Sequence, residues 1–424
     1  MKKINYSEFG EQLFSAQLKN GLRIYVQPKK DFYKTSAFLG VNFGSIDNTF
    51  ELQGKKIHLP AGVAHFLEHK MFDKKDYDVF ELFNKTGARS NAFTSFTQTN
   101  FLFSTTEYLK ENIDILLNFV QQPYFTEAKV QREKGIIAQE IQMYQNDPNN
   151  RLYFETISAM YSGSALASDI AGTVEDVDSI TLEDVKTAYS AFYRPENMAL
   201  FVTGKVDPDQ LINWVRVNEK NQHSIKPNSV KRVFNLDPPN PEKTSILAMD
   251  VSRPKVALGL RGSDFVPNGR LGIKYELAIS IMLDMFFSEN SISYEKLFQE
   301  EIIDDSFSWE FENERGFHFG IFTGDTSKPG EFIKRIKEIL PTIPQQLKTM
   351  SKEFQLQKNE LLGNYISMAD SEEAISGEFD PFIEDPITIY DEIEILNSLS
   401  LKDVIESSKQ FLDKASSQQV IIKS

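Results

Sequence analysis

Short apolar runs alternate along this chain with longer segments in which apolar residues recur every three or four positions. The short runs are bounded by Gly, Asn and Lys, as is typical of β-strands, and the longer segments have the period of α-helices. In the first half the pattern predicts strands in RIYVQPKK, SAFLGVNFGS, SNAFTSFT, NFLFSTT and NMALFVTGKV. It predicts helices in AGVAHFLEHKMF, DYDVFELFNKTGA, ENIDILLNFVQQ, TEAKVQREKGIIAQEIQMYQND and TLEDVKTAYSAFY. Asp76 is the expected N-cap of the second of these helices.

A break in the pattern divides the chain near its middle. Residues 219–243 are rich in Lys, Asn and Pro and show no sustained period, which predicts a linker. After it, strands are expected in KVALGLRG and FHFGIFTGD, and helices in LGIKYELAISIMLDMFF and GEFIKRIKEILPTI. The second half therefore repeats the layout of the first without repeating its residues. We predict an α+β protein with two lobes, residues 1–218 and 244–424, joined by this linker.

Composition narrows the choice of partners and of metal ligands. The formal net charge of -15 over 424 residues makes nucleic acid and anionic membranes unfavourable partners. Because the chain has no cysteine, any metal must be held by His, Asp or Glu. The start of the chain turns polar before an apolar signal-peptide core develops, and no run approaches about 18 apolar residues. These features predict a cytoplasmic protein.

The segment HFLEH, residues 65–69, carries the strongest chemical signal. An α-helix turns about 100° per residue, so His65, Glu68 and His69 project from one face about 100° wide. Two imidazoles one turn apart can bind one zinc ion from the same side. Glu68 points in a slightly different direction, which suits a carboxylate that acts on water at the metal. The order HxxEH is the inverse of the commoner HExxH zinc motif.

A catalytic zinc site needs a third protein ligand. The predicted helix that contains EKGIIAQE places Glu133 and Glu140 seven residues apart, on the same face to within about 20°. One of them would complete the metal site, and the other would orient a histidine through a hydrogen bond. Their spacing does not decide which is which. Of the remaining histidines, His58 and His223 are expected in a loop or the linker, and His318 in a strand.

Four segments in this order resemble a known family: HFLEH, NAFTSFTQT, EKGIIAQE and IAGTVEDVDSITLEDVKTAYSAFYRPENMALFVTGKV. They are similar to the inverzincin zinc metallopeptidases, which include insulysin, pitrilysin and mitochondrial processing peptidase, and most of all to the YmfH-type bacterial peptidases. The resemblance covers nearly all of the first half, and the second half in length and layout only. It implies two homologous lobes, each a mainly antiparallel sheet covered by helices on one face, forming a clamshell chamber.

The resemblance also implies a role for each residue of the predicted metal site. His65, His69 and Glu140 are the expected ligands of one Zn²⁺ per chain. Glu68 is the expected general base, and Glu133 the carboxylate that orients a ligand. The implied activity is that of an endopeptidase, which cleaves peptides or unfolded segments small enough to enter the chamber.

Two other regions bear on substrate binding. Asn91 and Ala92 match the edge strand that in the family holds the substrate peptide by β-strand addition. Family members also use an Arg and a Tyr, seven residues apart in the second half, to bind substrate. The equivalent segment here is YEKLFQEEIIDDSFSW, in which Phe298 and Asp305 stand at those positions, and no Arg occurs between residues 271 and 314.

This difference suggests how the chain assembles. Family members of this size can work as pairs, in which one subunit carries HxxEH and a paralogue without it supplies the Arg and Tyr. We therefore expect a heterodimer with such a paralogous subunit, and a homodimer is also possible. The alternatives are a non-catalytic peptide-binding or assembly subunit of the same fold, and a metal-dependent hydrolase acting on another class of substrate.

Overall fold

The computed structural model describes residues 1–220, 230–236, 238–383 and 385–424. The strands of the first half are β1 Lys2–Tyr6, β2 Glu11–Gln17, β3 Arg23–Pro28, β4 Thr35–Val41, β5 Thr49–Leu52, β6 Lys55–His58, β7 Arg89–Thr94, β8 Thr99–Thr105 and β9 Met198–Gly204. Its helices are α1 Val63–Phe72, α2 Val79–Lys85, α3 Leu109–Gln121, α4 Glu127–Gln145, α5 Pro148–Met160, α6 Val174–Ser179, α7 Leu182–Phe192 and α8 Pro208–Glu219.

The second half follows the same alternation. Its strands are β10 Val230–Arg232, β11 Thr244–Ala248, β12 Lys255–Arg261, β13 Ser308–Glu314, β14 Phe317–Asp325 and β15 Ser416–Lys423. Its helices are α9 Arg270–Phe287, α10 Ile292–Gln299, α11 Pro329–Ile339, α12 Ile343–Gln346, α13 Ser351–Met368, α14 Glu372–Gly377, α15 Ile389–Ser398 and α16 Leu401–Leu412. The long apolar segment predicted at 271–287 is thus a helix, as expected.

Two mainly antiparallel sheets have the same strand order. The first runs β1-β2-β3-β9-β4-β8-β7 and the second runs β11-β15-β12-β14-β13. From β3 onward the two orders correspond strand for strand, and in each sheet the first of these pairs is parallel and the following pairs are antiparallel. The predicted α+β architecture of two related halves is confirmed. Among the described residues, β7 and β13 are edge strands with one hydrogen-bonded neighbour each.

One face of each sheet is covered by helices that belong to the same half of the chain. On β3, Ile24 and Val26 face the core that α1, α3, α4 and α7 share, whereas Tyr25 points to the opposite face. That opposite face packs against helices of the second half, with Phe379 and Tyr390 in contact. The alternation of a strand explains why both faces are apolar. Each half therefore contributes to the core of the other.

The second sheet shows the reciprocal arrangement. Helices α9, α11 and α16 cover one face, and α5 from the first half packs on the other. Gly259 on β12 permits this close approach, because a Cβ there would lie 2.6 Å from Thr156 Cγ2 and 2.7 Å from Met160 Sδ. Helix α5 thereby ties the end of the metal-site helix α4 to the second sheet.

A buried carboxylate joins the two halves. Asp47 is 1% exposed, and its carboxylate pairs with Arg315 Nη2 at 2.7 Å and with Arg232 Nε at 3.0 Å. Gly44 N–H also donates to it. Arg315 follows β13, and Arg232 lies on β10, which pairs with β5. Within the predicted linker 219–243, residues 221–229 and 237 lie outside the described residues, whereas Val230–Arg232 is a strand.

One predicted helix cap is wrong. Helix α2 begins after Asp78, whose carboxylate accepts a hydrogen bond from Phe80 N–H at 2.8 Å, and not after Asp76. Asp76 and Asp78 are both residues that favour the N-cap. Asp78 takes the role because Asp73 and Asp78 form an isolated β-bridge that holds the intervening residues out of the helix.

Candidate metal centre

A glycine fixes the start of the helix that carries HFLEH. Gly62, the N-cap of α1, has a positive φ of 81°, and a Cβ there would collide with the carbonyl of Ala171. Phe66 and Leu67 are fully buried in the core of the first half. On the opposite side of the same helix the two histidines are only partly exposed, at 13% and 24% of their side chains. Core packing therefore sets the direction in which the imidazoles point.

The three predicted ligands converge on one point. Nε2 of His65 lies 3.8 Å from Glu140 Oε1, and Nε2 of His69 lies 3.4 Å from Glu140 Oε2. Donors that share a tetrahedral zinc ion at about 2 Å are about 3.3 Å apart. Of the residues that the structure describes, these three are the one group of three such side chains close enough to hold an ion. Two imidazoles and a carboxylate therefore fit Zn²⁺.

Glu133 lies behind the histidines. Its Oε1 is 3.2 Å from His69 Nδ1, and its Oε2 accepts a hydrogen bond from Lys70 Nζ at 2.9 Å. Lys70 is fully buried and also pairs with Asp73 at 2.6 Å. His69 is thus oriented through Nδ1, which leaves Nε2 for a metal. The role of Lys70 was not predicted, although a lysine directly after a zinc motif, in an otherwise apolar helix, is an available signal.

Burial and charge set the protonation of the histidines. Burial and the positive charge of His69 lower the pKa of His65 to about 3, so its imidazole is neutral and ready to bind a cation. Burial alone would lower the pKa of His69, but the hydrogen bond with Glu133 and the charge of Glu68 raise it. Burial would raise the pKa of Glu133, but its bonds to His69 and Lys70 lower it instead. Glu133 therefore stays ionised.

Glu68 is the predicted base and is 8% exposed. Its Oε2 accepts a hydrogen bond of 2.6 Å from the hydroxyl of Thr94, the last residue of β7. Burial raises the pKa of the Glu68 carboxyl, and the bond from Thr94 acts in the opposite direction. A raised pKa makes a carboxylate a stronger base near neutral pH. The contact joins residues 26 positions apart, so it leaves no local pattern in the sequence.

Strand β7 presents a free edge beside the metal centre. Asn91 is exposed, and Ala92 is half-buried against the core. The N–H of Ala92 donates at 2.9 Å to the side chain of its neighbour Asn91. This N–H is therefore directed away from β8, and an incoming extended peptide would meet it once the Asn91 amide moves aside.

Comparison with known proteins identifies the family. Residues 34–174 match the family "Insulinase (Peptidase family M16)", and residues 179–361 match "Peptidase M16 inactive domain". The chain is 39% identical over 414 residues to a Bacillus subtilis protein named "Uncharacterized zinc protease YmfH", covering 95% of each chain. The chain belongs to peptidase family M16. The resemblance to YmfH-type peptidases is confirmed.

Solved structures agree with this M16 assignment. The chain superposes on the crystal structure of an M16-like peptidase from Alicyclobacillus acidocaldarius with a TM-score of 0.89 and 28% identity, over 97% of this chain and 99% of the other. A protease from Helicobacter pylori shares the fold with a TM-score of 0.80 at 19% identity, over 98% and 100% of the two chains. Both span the two halves together.

Among its described residues, the second half has no cluster of metal donors like that of the first half, although it matches an M16 family model. Gly62 is the N-cap of α1, and the residues three, six and seven positions after it are His65, Glu68 and His69. The same offsets from Gly269, the N-cap of α9, give Gly272, Tyr275 and Glu276. The Tyr275 hydroxyl donates to Asp264 at 2.8 Å, and His318 Nε2 lies 2.7 Å from the same carboxylate. A buried polar network thus occupies the helix position that carries the ligands in the first half.

The positions expected for the M16 Arg and Tyr are ordinary surface positions here. Phe298 lies on α10 and is 44% exposed, and Asp305 is exposed before β13. The first arginine after this segment is Arg315, and its guanidinium is bound to Asp47 and Asn42. The sequence has no arginine between residues 271 and 314, so this segment cannot supply one.

The remaining sequence predictions have mixed outcomes. His318 lies on strand β14 as predicted, and His58 ends strand β6 instead of lying in a loop. His223 lies outside the described residues. Across the part of the chain that the structure describes, no helix combines the length and apolar character needed to cross a bilayer.

Proposed function

We propose that this M16 chain is a zinc-dependent endopeptidase that hydrolyses peptides or unfolded segments. The supporting observation is the convergence of His65 Nε2, His69 Nε2 and the Glu140 carboxylate, next to a buried glutamate that does not belong to the ligand set. Two neutral donors and one anionic donor leave a coordination position open, as catalytic zinc sites require. A purely structural zinc site would be closed by a fourth protein ligand.

The chain's own residues would divide the work of hydrolysis. When bound, Zn²⁺ would lower the pKa of a water molecule and polarise the scissile carbonyl. Glu68 accepts the proton of the attacking water, while Glu133 holds His69 in place through Nδ1. The edge of β7 at Asn91 and Ala92 binds the substrate as an added strand, which brings its backbone past the metal centre. This binding mode selects extended segments over folded proteins.

We also propose that the active enzyme is a heterodimer. Phe298 has no polar group, and Asp305 is an acceptor when ionised, so neither donates a hydrogen bond to a developing oxyanion. A paralogous subunit without HxxEH would supply the missing Arg and Tyr. A homodimer cannot do so with the same segment, since both copies would lack them. A cytoplasmic location, and the absence of membrane and nucleic-acid partners, stay predictions from the sequence.

The test is cleavage of fluorogenic peptides by the zinc-loaded chain, with and without a paralogous chain that lacks HxxEH. Glu68→Gln is the blank, because it removes the base and keeps the ligands. We expect one zinc per chain in the wild-type protein and in the Glu68→Gln variant. Cleavage should appear when the wild-type chain is mixed with the paralogue, and it should be absent when Glu68→Gln takes the place of the wild-type chain. Full activity of the chain alone would overturn the heterodimer proposal. Zinc binding without cleavage in either case would favour the non-catalytic peptide-binding subunit.

A further inference from the structure

The hydrogen bond between Thr94 and Glu68 connects the peptide-binding strand to the predicted base. Thr94 ends β7, and its side chain lies on the same face as that of Ala92, two residues earlier, toward α1. Its hydroxyl is 2.6 Å from Glu68 Oε2 and 3.5 Å from Thr99 Oγ1. A hydroxyl has one proton to donate, and an ionised carboxylate is the better acceptor of the two. The proton of Thr94 is therefore directed at Glu68.

The backbone directly after Thr94 is held in place by the segment of residues 44–46. Ser95 C=O accepts from Ser45 N–H at 3.1 Å, and Phe96 C=O accepts from Ile46 N–H at 3.0 Å. A Cβ on Gly44 would collide with the backbone of Phe96, so the two segments pack backbone against backbone. The Thr94 hydroxyl is consequently a fixed donor, since the strand that carries it cannot shift without breaking these bonds.

We propose that Thr94 is a positioning residue that keeps Glu68 in the role of a base and prevents it from becoming a metal ligand. This inference rests on the proposed peptidase function for its catalytic part. A carboxylate next to a divalent cation with an open position is itself a suitable zinc ligand. Because Oε2 is bound to Thr94, the carboxylate cannot rotate freely toward the cation, and Oε1 remains available to accept a proton from water.

The residue type fits this role. A threonine supplies one short donor and, being β-branched, has few rotamers, so little conformational freedom is lost in forming the bond. A positively charged donor at the same place would also hold the carboxylate, but it would lower the pKa of Glu68 strongly and weaken it as a base. A neutral hydroxyl orients the group with a smaller effect on its basicity.

The experiment compares Thr94→Val, which keeps the shape and removes the hydroxyl, with Thr94→Ser, which keeps the hydroxyl. In the peptide assay we expect Thr94→Val to lower kcat about tenfold to a hundredfold, because a misplaced catalytic group has an effect of this size. KM should stay within about threefold, since the N–H groups of β7 are unchanged. Thr94→Ser should retain most of the activity. Equal kcat in all three proteins would overturn the proposal.

A second readout does not depend on turnover. The zinc is replaced by Co²⁺, whose visible absorption changes in wavelength and intensity when the set of ligands around the ion changes. We expect a changed visible spectrum and tighter metal binding for Thr94→Val relative to wild type, with Thr94→Ser unchanged. In a Glu68→Gln background, Thr94→Val should have no such effect, because the competing carboxylate is absent. An unchanged Thr94→Val spectrum, or the same change in the Glu68→Gln background, would overturn the proposal.

The two measurements separate this inference from the peptidase proposal. If the wild-type chain cleaves no peptide with or without a paralogue, the peptidase proposal fails, while the Co²⁺ spectra still decide whether Thr94 holds Glu68 away from the metal.

Discussion

Lys70 Nζ and Glu133 Oε2 form an ion pair of 2.9 Å, and the lysine side chain is fully buried. An unpaired charge in the protein interior is costly, so removing either partner would leave the other as an unfavourable buried charge. Glu133 also touches His69, which makes this pair part of the support for a metal ligand. The position directly after HFLEH thus contributes to the metal centre although its side chain does not reach the ligand site.

Replacing Lys70 with methionine should destabilise the protein and loosen the metal centre. The change leaves Glu133 buried without its cation, for which we expect a loss of about 3 kcal/mol or more in the free energy of unfolding. Zinc affinity should fall about tenfold, as for other groups that orient metal ligands. Urea unfolding and chelator competition measure the two effects. Lys110→Met is the matched control, because the pair Lys110–Asp114 is largely exposed and should contribute less than about 1 kcal/mol.

Substitution of Ala92 by proline tests the role of the β7 edge. Proline removes the N–H that points away from β8, so kcat/KM for peptides should fall at least about tenfold. Zinc content should stay the same, since no ligand is touched. Ala92→Ser keeps the N–H and serves as the control, with kcat/KM within about threefold of wild type. A Pro variant that cleaves peptides normally would exclude strand addition at this edge.

The raised pKa of Glu276 predicts that the stability of the protein depends on pH. Burial, followed by repulsion from Glu312, raises its pKa to about 8, whereas the unfolded chain titrates near the ordinary value of 4.5. The folded state therefore binds more protons than the unfolded state between these values, and its stability falls as the pH rises through that window. Glu276→Gln removes this loss.

The measurement is the unfolding free energy of Glu276→Gln relative to wild type at pH 5 and pH 8. The variant should gain at least about 1 kcal/mol more at pH 8 than at pH 5, because one pKa unit corresponds to about 1.4 kcal/mol. Glu353→Gln, at an exposed position, controls for the change in net charge. A gain that is the same at both pH values would show that Glu276 is ionised throughout.

Asp47 should be critical for the junction of the halves. Asp47→Asn leaves Arg232 and Arg315 without their carboxylate, and we expect a loss of about 3 kcal/mol or more. Amide hydrogen exchange should accelerate at Ser45 and Ile46, whose N–H groups bond the turn after β7. Exchange that changes only in distant segments would show that the ion pair does not stabilise this turn.

The features that depend on neighbouring residues were predictable from the sequence. The spacing of His65, Glu68 and His69 defines their common face without any knowledge of the fold. Glu133 and Glu140 share a helix face for the same reason, yet the sequence did not decide which one is the ligand. The structure places Glu140 next to both Nε2 atoms, as the family resemblance implied.

The features that the sequence missed depend on contacts between distant segments. Thr94 meets Glu68 only because β7 ends beside α1, and Lys70 meets Glu133 only because α4 crosses the same helix. Helix α5 covers the second sheet, although in sequence it belongs with the first half. Hydrophobic periodicity shows that such faces are buried, but it does not show against what.

The shared strand order gives the molecule two comparable edge strands, β7 and β13. They differ in how readily a further strand can pair with them. Strand β7 has one charged side chain, Arg89 at its start, and offers the uncharged Asn91, Ala92 and Phe93 further along. Strand β13 carries acidic side chains at every second position, Glu310, Glu312 and Glu314. Carboxyl groups repeated along an edge oppose the docking of a further strand and guard against aggregation. The acidic edge therefore disfavours the pairing of a further strand at β13, whereas β7, the edge with the metal donors within reach, carries no such row of carboxylates.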